Sequence, residues 1–164
     1  MAGEAASWAF EAEDAERVDR LLRSFLAESE ARAALLVERT GQLIGSAGEC
    51  AHLDLPAFAS LAAADFSAND QLAAMLGEQE FSSLYHQGER ESLYLVDVAR
   101  RVILVVLFDQ RATLGMIRIR VRGVVRELAA LFEELFARSP ARARVEGAWA
   151  DAAEGEIDRL FGHG

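Results

Sequence analysis

The amino-acid sequence predicts an α+β protein of order αββαβββα, a five-stranded antiparallel sheet sandwiched between helices. Three observations carry that prediction. The first and last long segments place apolar residues at a helical period. "ALLVERTGQLIGSAG" is two short apolar runs around a Thr-Gly turn. "EFSSLYHQGERESLYLVDVARRVILVVLFD" is three more such runs broken by polar turns.

The elements follow in order. Asp14–Glu30 spaces Val18, Leu21, Leu22, Phe25 and Leu26 as one helical face. A strand from Ala34 to Glu38, a turn at Thr40–Gly41 and a strand from Gln42 to Ala47 come next. Asp54 is placed to cap the second helix, with Pro56 in its first turn and Gly77 as its stop. Phe81–His86, Ser92–Val98 and Val102–Asp109 complete the strands. The last is apolar on both faces, as a covered central strand requires.

"MIRIRVRG" alternates like a strand, but Leu114, Ile117, Val121, Val124, Leu128, Leu131 and Leu135 continue a 3-4 spacing that a two-residue period cannot produce. The segment is a helix capped by Thr113, with Arg118, Arg122 and Arg126 off its apolar stripe.

Composition narrows the function. The chain has 164 residues, 52% of them apolar, so one domain with a real core is expected and disorder is not. The longest apolar run, Val102–Phe108, is too short to span a membrane. Nothing at the N-terminus resembles an export signal, and one cysteine, Cys50, precludes an internal disulfide. A cytoplasmic location is expected, with no membrane insertion.

Charge is unevenly spread. Residues 1–89 carry 16 acids and 5 arginines, residues 90–144 carry 6 and 11, and residues 145–164 carry 5 and 1, which sums to −10. An acidic total argues against general nucleic-acid binding, since phosphate neutralisation needs clustered cations. The basic middle segment suits an acidic protein surface or the chain's own acidic tails. There is no lysine, so the chain has no P-loop and is not itself a P-loop GTPase.

The candidate chemistry is sparse. Gly41, Gly45 and Gly48 fit a hairpin better than a phosphate loop, because no strand leads through them into a helix. Cys50 and His52 lack a second pair at ligand spacing, so no metal is expected. His86 alternates within a strand beside Tyr85 as a surface or edge histidine. Arg100 and Arg101 read as a polar hairpin turn rather than an arginine finger.

The second helix holds the larger signal. Phe58, Leu61, Leu72 and Leu76 form one stripe, and Ala64, Ala68 and Met75, with Gln71 beside them, form an adjoining one. With Ala62, Phe66 and Ala73 the apolar arc reaches roughly 200°, about twice what one-sided burial needs. Either the alanines are simply good helix formers or the helix buries a second surface. In the tail, Ile157, Leu160 and Phe161 stand at i, i+3, i+4 on an acidic background. That pattern suits a recognition helix or a frayed terminus equally.

The element order, with "LLVERTGQLIGSAGE", "QLAAMLGEQEF", "YHQGERESLYLVDVARRVILVVLFDQRATLGMIRIRVR" and "EIDRLF", resembles the roadblock family, and within it the MglB-like members that partner MglA-like Ras-family GTPases. The resemblance covers residues 14–138 and the last few residues, and is most specific over Leu93–Arg122. It leaves 1–13 as an N-terminal extension and 139–164 as a linker with an amphipathic tail.

The resemblance implies a homodimer joined edge to edge through the third strand, with Phe81, Leu84, Tyr85 and His86 at the interface. It implies a platform on which two chains engage one GTPase and stimulate hydrolysis by remodelling the GTPase's own site. Ala64, Ala68, Gln71, Leu72 and Met75 would then contact the GTPase, with Ile157, Leu160 and Phe161 as a tail contact. No catalytic residue and no cofactor belong to this chain in that reading; GTP and Mg are held by the partner. The alternative is a roadblock scaffold that binds a GTPase or another roadblock chain without affecting hydrolysis.

Overall fold

The computed structural model describes residues 10–79 and 82–138. Eight elements follow one another in the expected order: α1 (Ala12–Ser29), β1 (Ala33–Glu38), β2 (Leu43–Gly48), α2 (Leu55–Met75), β3 (Ser83–Gln87), β4 (Glu91–Val98), β5 (Val102–Asp109) and α3 (Leu114–Arg138). The strands form one antiparallel sheet in the order β2-β1-β5-β4-β3.

Strand alternation divides the core in two. Ala34, Leu36, Leu104, Val106 and Phe108 turn toward α1 and α3. Ala33, Leu35, Val37, Ile103, Val105 and Leu107 turn toward α2. β5 therefore lies at the centre with Val102–Phe108 all buried, which is why its sequence does not alternate. β2 and β3 are the outer strands.

Local chemistry sets the element ends. α1 begins at Ala12, ahead of the expected Asp14, because Asp14 serves as the third residue of a capping box: its carboxylate accepts the Glu11 N–H at 3.1 Å. Asp54 caps α2 by accepting the Ala57 N–H at 3.3 Å, and Thr113 caps α3 by accepting the Met116 N–H at 3.2 Å. β2 starts one residue later than expected. The β1–β2 register shifts between Leu36 and Val37, whose partners are Gly45 and Leu43, so part of the strand is taken up by a bulge.

Two of the three glycines of β1–β2 are required by the backbone. Gly41 turns the chain with φ 101°, and Gly48 has φ 90° with the Arg32 carbonyl 2.3 Å from where a Cβ would sit. α1 and α3 lie antiparallel: Arg17 reaches Glu134 and Arg138 reaches Asp14 at one end, and Arg120 reaches Glu28 at the other. No helix among the described residues is long and apolar enough to cross a membrane.

Candidate functional site: the outer face of the second helix

α2 is a continuous helix through "FSAND". It lies on the sheet through Ala59, Ala62, Ala63, Phe66, Asn69 and Ala73, which are small residues apart from Phe66. A face of alanines lets the helix rest closely on the strands with one aromatic filling the gap. The large residues point the other way. Leu61 is 70% exposed, Leu72 57%, Met75 84% and Leu76 73%. Only Phe58 of the expected leucine-rich stripe packs against the core. The sequence signal of too wide an apolar arc therefore resolves into a small inward face and a large outward one.

At 100° per residue, Leu61, Ala64, Ala68, Gln71, Leu72 and Met75 fall within an arc of about 100°. All six are exposed. The five positions expected from the resemblance, Ala64, Ala68, Gln71, Leu72 and Met75, thus share one solvent-facing stripe. Burying a large side chain of this kind is worth roughly 1.5–3 kcal/mol, so a partner docking on the stripe gains from each.

The stripe borders the open β3 edge. Asp65 of α2 and His86 of β3 meet at 2.6 Å, both partly exposed, and fix the helix beside that strand. Leu84 packs toward α2, and Tyr85 packs on the opposite face, stacked on Phe108 at 6.1 Å. Their side chains hold β3 onto the sheet, and its outer backbone pairs with no other strand among the described residues. Phe81 lies outside the described residues, as do Ile157, Leu160 and Phe161.

The sequence gives no hint of Arg39, at the end of β1, which is the tie beneath α2. Its guanidinium donates to Asp70 of α2 at 2.6 Å and to Asp97 of β4 at 3.2 Å, and lies 5.2 Å from the centre of the Phe66 ring. Asp70 and Asp97 are 31 and 58 residues away, so no local pattern links them. The three together lock the second half of α2 to the sheet.

Of the three arginines in the connecting turns, Arg101 and Arg111 have side-chain partners within the chain. Ala99 and Arg100 both have positive φ, 51° and 64°, and turn the chain tightly within the three residues, Ala99–Arg101, that join β4 to β5. The Arg101 guanidinium lies 4.7 Å from the Phe136 ring centre. Arg111 is clamped by Asp109 at 2.9–3.2 Å, which holds that carboxyl below the usual carboxylate range. Cys50, half-buried, donates toward the Ala47 carbonyl at 3.7 Å, and burial pushes its thiol up. No group of three or more His, Cys, Asp or Glu placed to hold a metal occurs among the described residues.

Comparison with known proteins decides the family, since the Roadblock/LC7 domain matches residues 17–108. The chain belongs to the Roadblock/LC7 family. The matched stretch runs from the first turns of α1 to β5; α3 completes the roadblock fold beyond it. MglB of Myxococcus xanthus is 37% identical with a TM-score of 0.74, covering 77% of this chain and 95% of that one. The gliding protein MglB of Thermus thermophilus is 32% identical with a TM-score of 0.73, covering 79% and 98%. A third MglB structure, with a tetrameric arrangement, is 31% identical with a TM-score of 0.75, covering 80% and 98%. The roadblock chain is therefore similar to MglB over nearly the whole of each of those solved chains.

Proposed function

We propose that this roadblock protein is a GTPase-activating partner of an MglA-like Ras-family GTPase. It works as a homodimer joined through β3, with two chains engaging one GTPase, and has no active site of its own. The observation that carries the reading is the outward stripe of α2, whose large apolar residues no described part of the chain covers, on a fold so similar to MglB. Pairing at β3 would bring two such stripes side by side, because Asp65 and His86 hold each stripe next to that edge.

Activation in this reading proceeds by repositioning groups of the GTPase itself. Arg101 and Arg111 already have partners within the chain, and the β4–β5 turn is too short to enter another protein's nucleotide pocket. The same observation favours the second reading, a scaffold that binds the GTPase and leaves hydrolysis unchanged.

Single-turnover GTP hydrolysis by an MglA-like GTPase, with and without this chain at saturating concentration, separates the two. Acceleration supports activation. Stable binding at the unassisted rate supports the scaffold, and absence of binding contradicts both.

A further inference from the structure

On the sheet face opposite α2, Arg118 and Arg122 flank a groove floored by Tyr94, Val96, Val121 and Val125. Both arginines are exposed, and neither makes an ion pair among the described residues. Arg20, Arg90 and Arg126 also make no ion pair among the described residues, but they do not line this groove. Two unpartnered guanidiniums beside an apolar floor suit an acidic amphipathic segment, whose apolar side covers the floor while its carboxylates meet the cations.

The chain carries such a segment. Residues 145–164 hold five acids and one arginine, and Ile157, Leu160 and Phe161 stand at i, i+3, i+4 among Glu154, Glu156 and Asp158. It can also reach. Arg122 lies 16 residues before the end of α3 at Arg138, a distance of about 24 Å along the helix. Residues 139–156 span at most roughly 60 Å when extended.

We infer that this groove is the docking site of the chain's own C-terminal segment, Glu154–Phe161. Ile157, Leu160 and Phe161 cover the floor, and the flanking carboxylates pair with Arg118 and Arg122. Tethering raises the local concentration of the segment well above that of any free acidic peptide, which favours this occupant. The docked segment leaves the α2 stripe clear, so it does not block a partner there, whatever that partner is. A partner that binds the segment must first take it from the groove.

The test uses the full chain with Cys50→Ser and two added cysteines. Val125→Cys with Gly162→Cys places one thiol in the groove and one beside Phe161. Leu72→Cys with Gly162→Cys is the control, with its thiol on the α2 stripe. The groove pair is expected to close a disulfide within one chain about tenfold faster than the control or more. Adding Arg118→Glu and Arg122→Glu, or working in high salt, is expected to bring the two rates together. Equal rates in the two pairs, a disulfide formed only between chains, or a rate indifferent to charge reversal would each overturn the inference.

Discussion

Asp14 is the most deeply placed charge in the ion pairs among the described residues, 2% exposed between α1 and α3. Burial alone would raise its pKa, but the Arg138 hydrogen bond, the Glu11 N–H and the charges of Arg138 and Arg17 outweigh it and hold the carboxyl below its ordinary value. A depressed folded-state pKa stabilises the fold above the unfolded value, and that stability is lost as pH falls through the folded one. Asp14→Asn is therefore expected to lower the melting temperature at pH 7 by on the order of 5 °C. The gap to the native chain closes below about pH 4, which melts across that range would reveal. Arg39→Met removes the tie between Asp70, Asp97 and the Phe66 ring. With all three charges only partly exposed, urea unfolding is expected to register a loss of about 1–3 kcal/mol. Neither residue stood out in the sequence as a structural tie, since their partners lie far along the chain.

At the scale of elements, caps and strand alternation were readable because they are local: Asp54, Thr113 and the uninterrupted apolar β5 need only their neighbours. The orientation of α2 was not. A helix apolar over half its circumference offers two ways to face the sheet, and only packing decides that Ala59, Ala63 and Phe66 go in while Leu72 and Met75 stay out. Because Ala68 and Met75 are exposed, Ala68→Arg or Met75→Arg is expected to leave the circular dichroism melt unchanged. The same changes are expected to abolish binding of the GTPase, since the added charge would be buried unpaired at the interface. Replacing Arg100, Arg101 or Arg111 singly by Ala is expected to reduce stimulated hydrolysis by less than about tenfold, far short of the loss of an arginine finger. A thousandfold loss with binding intact would place that arginine in the active site. Their predicted place in connecting turns agrees with the positive-φ turn at Ala99–Arg100 and the Asp109 clamp on Arg111.

The molecule as a whole is a sheet with its centre doubly covered and with β2 and β3 as outer strands that pair with no further strand among the described residues. The topology was legible because α1 and the length of α3 carry a helical period and polar turns bound each apolar strand run, and the family because that order came with specific segments such as Leu93–Arg122. Quaternary structure is not encoded so locally: the open β3 edge and the adjoining α2 stripe take on meaning only together. Light scattering at micromolar concentration is expected to give the mass of a dimer; a monomer would remove the paired platform. The most direct measurement of the central claim compares the native chain and Met75→Arg in single-turnover GTP hydrolysis by an MglA-like GTPase. Acceleration of tenfold or more is expected with the native chain, and the unassisted rate with the variant. A native chain that leaves the rate unchanged, or a folded Met75→Arg variant that accelerates it equally, would contradict the account.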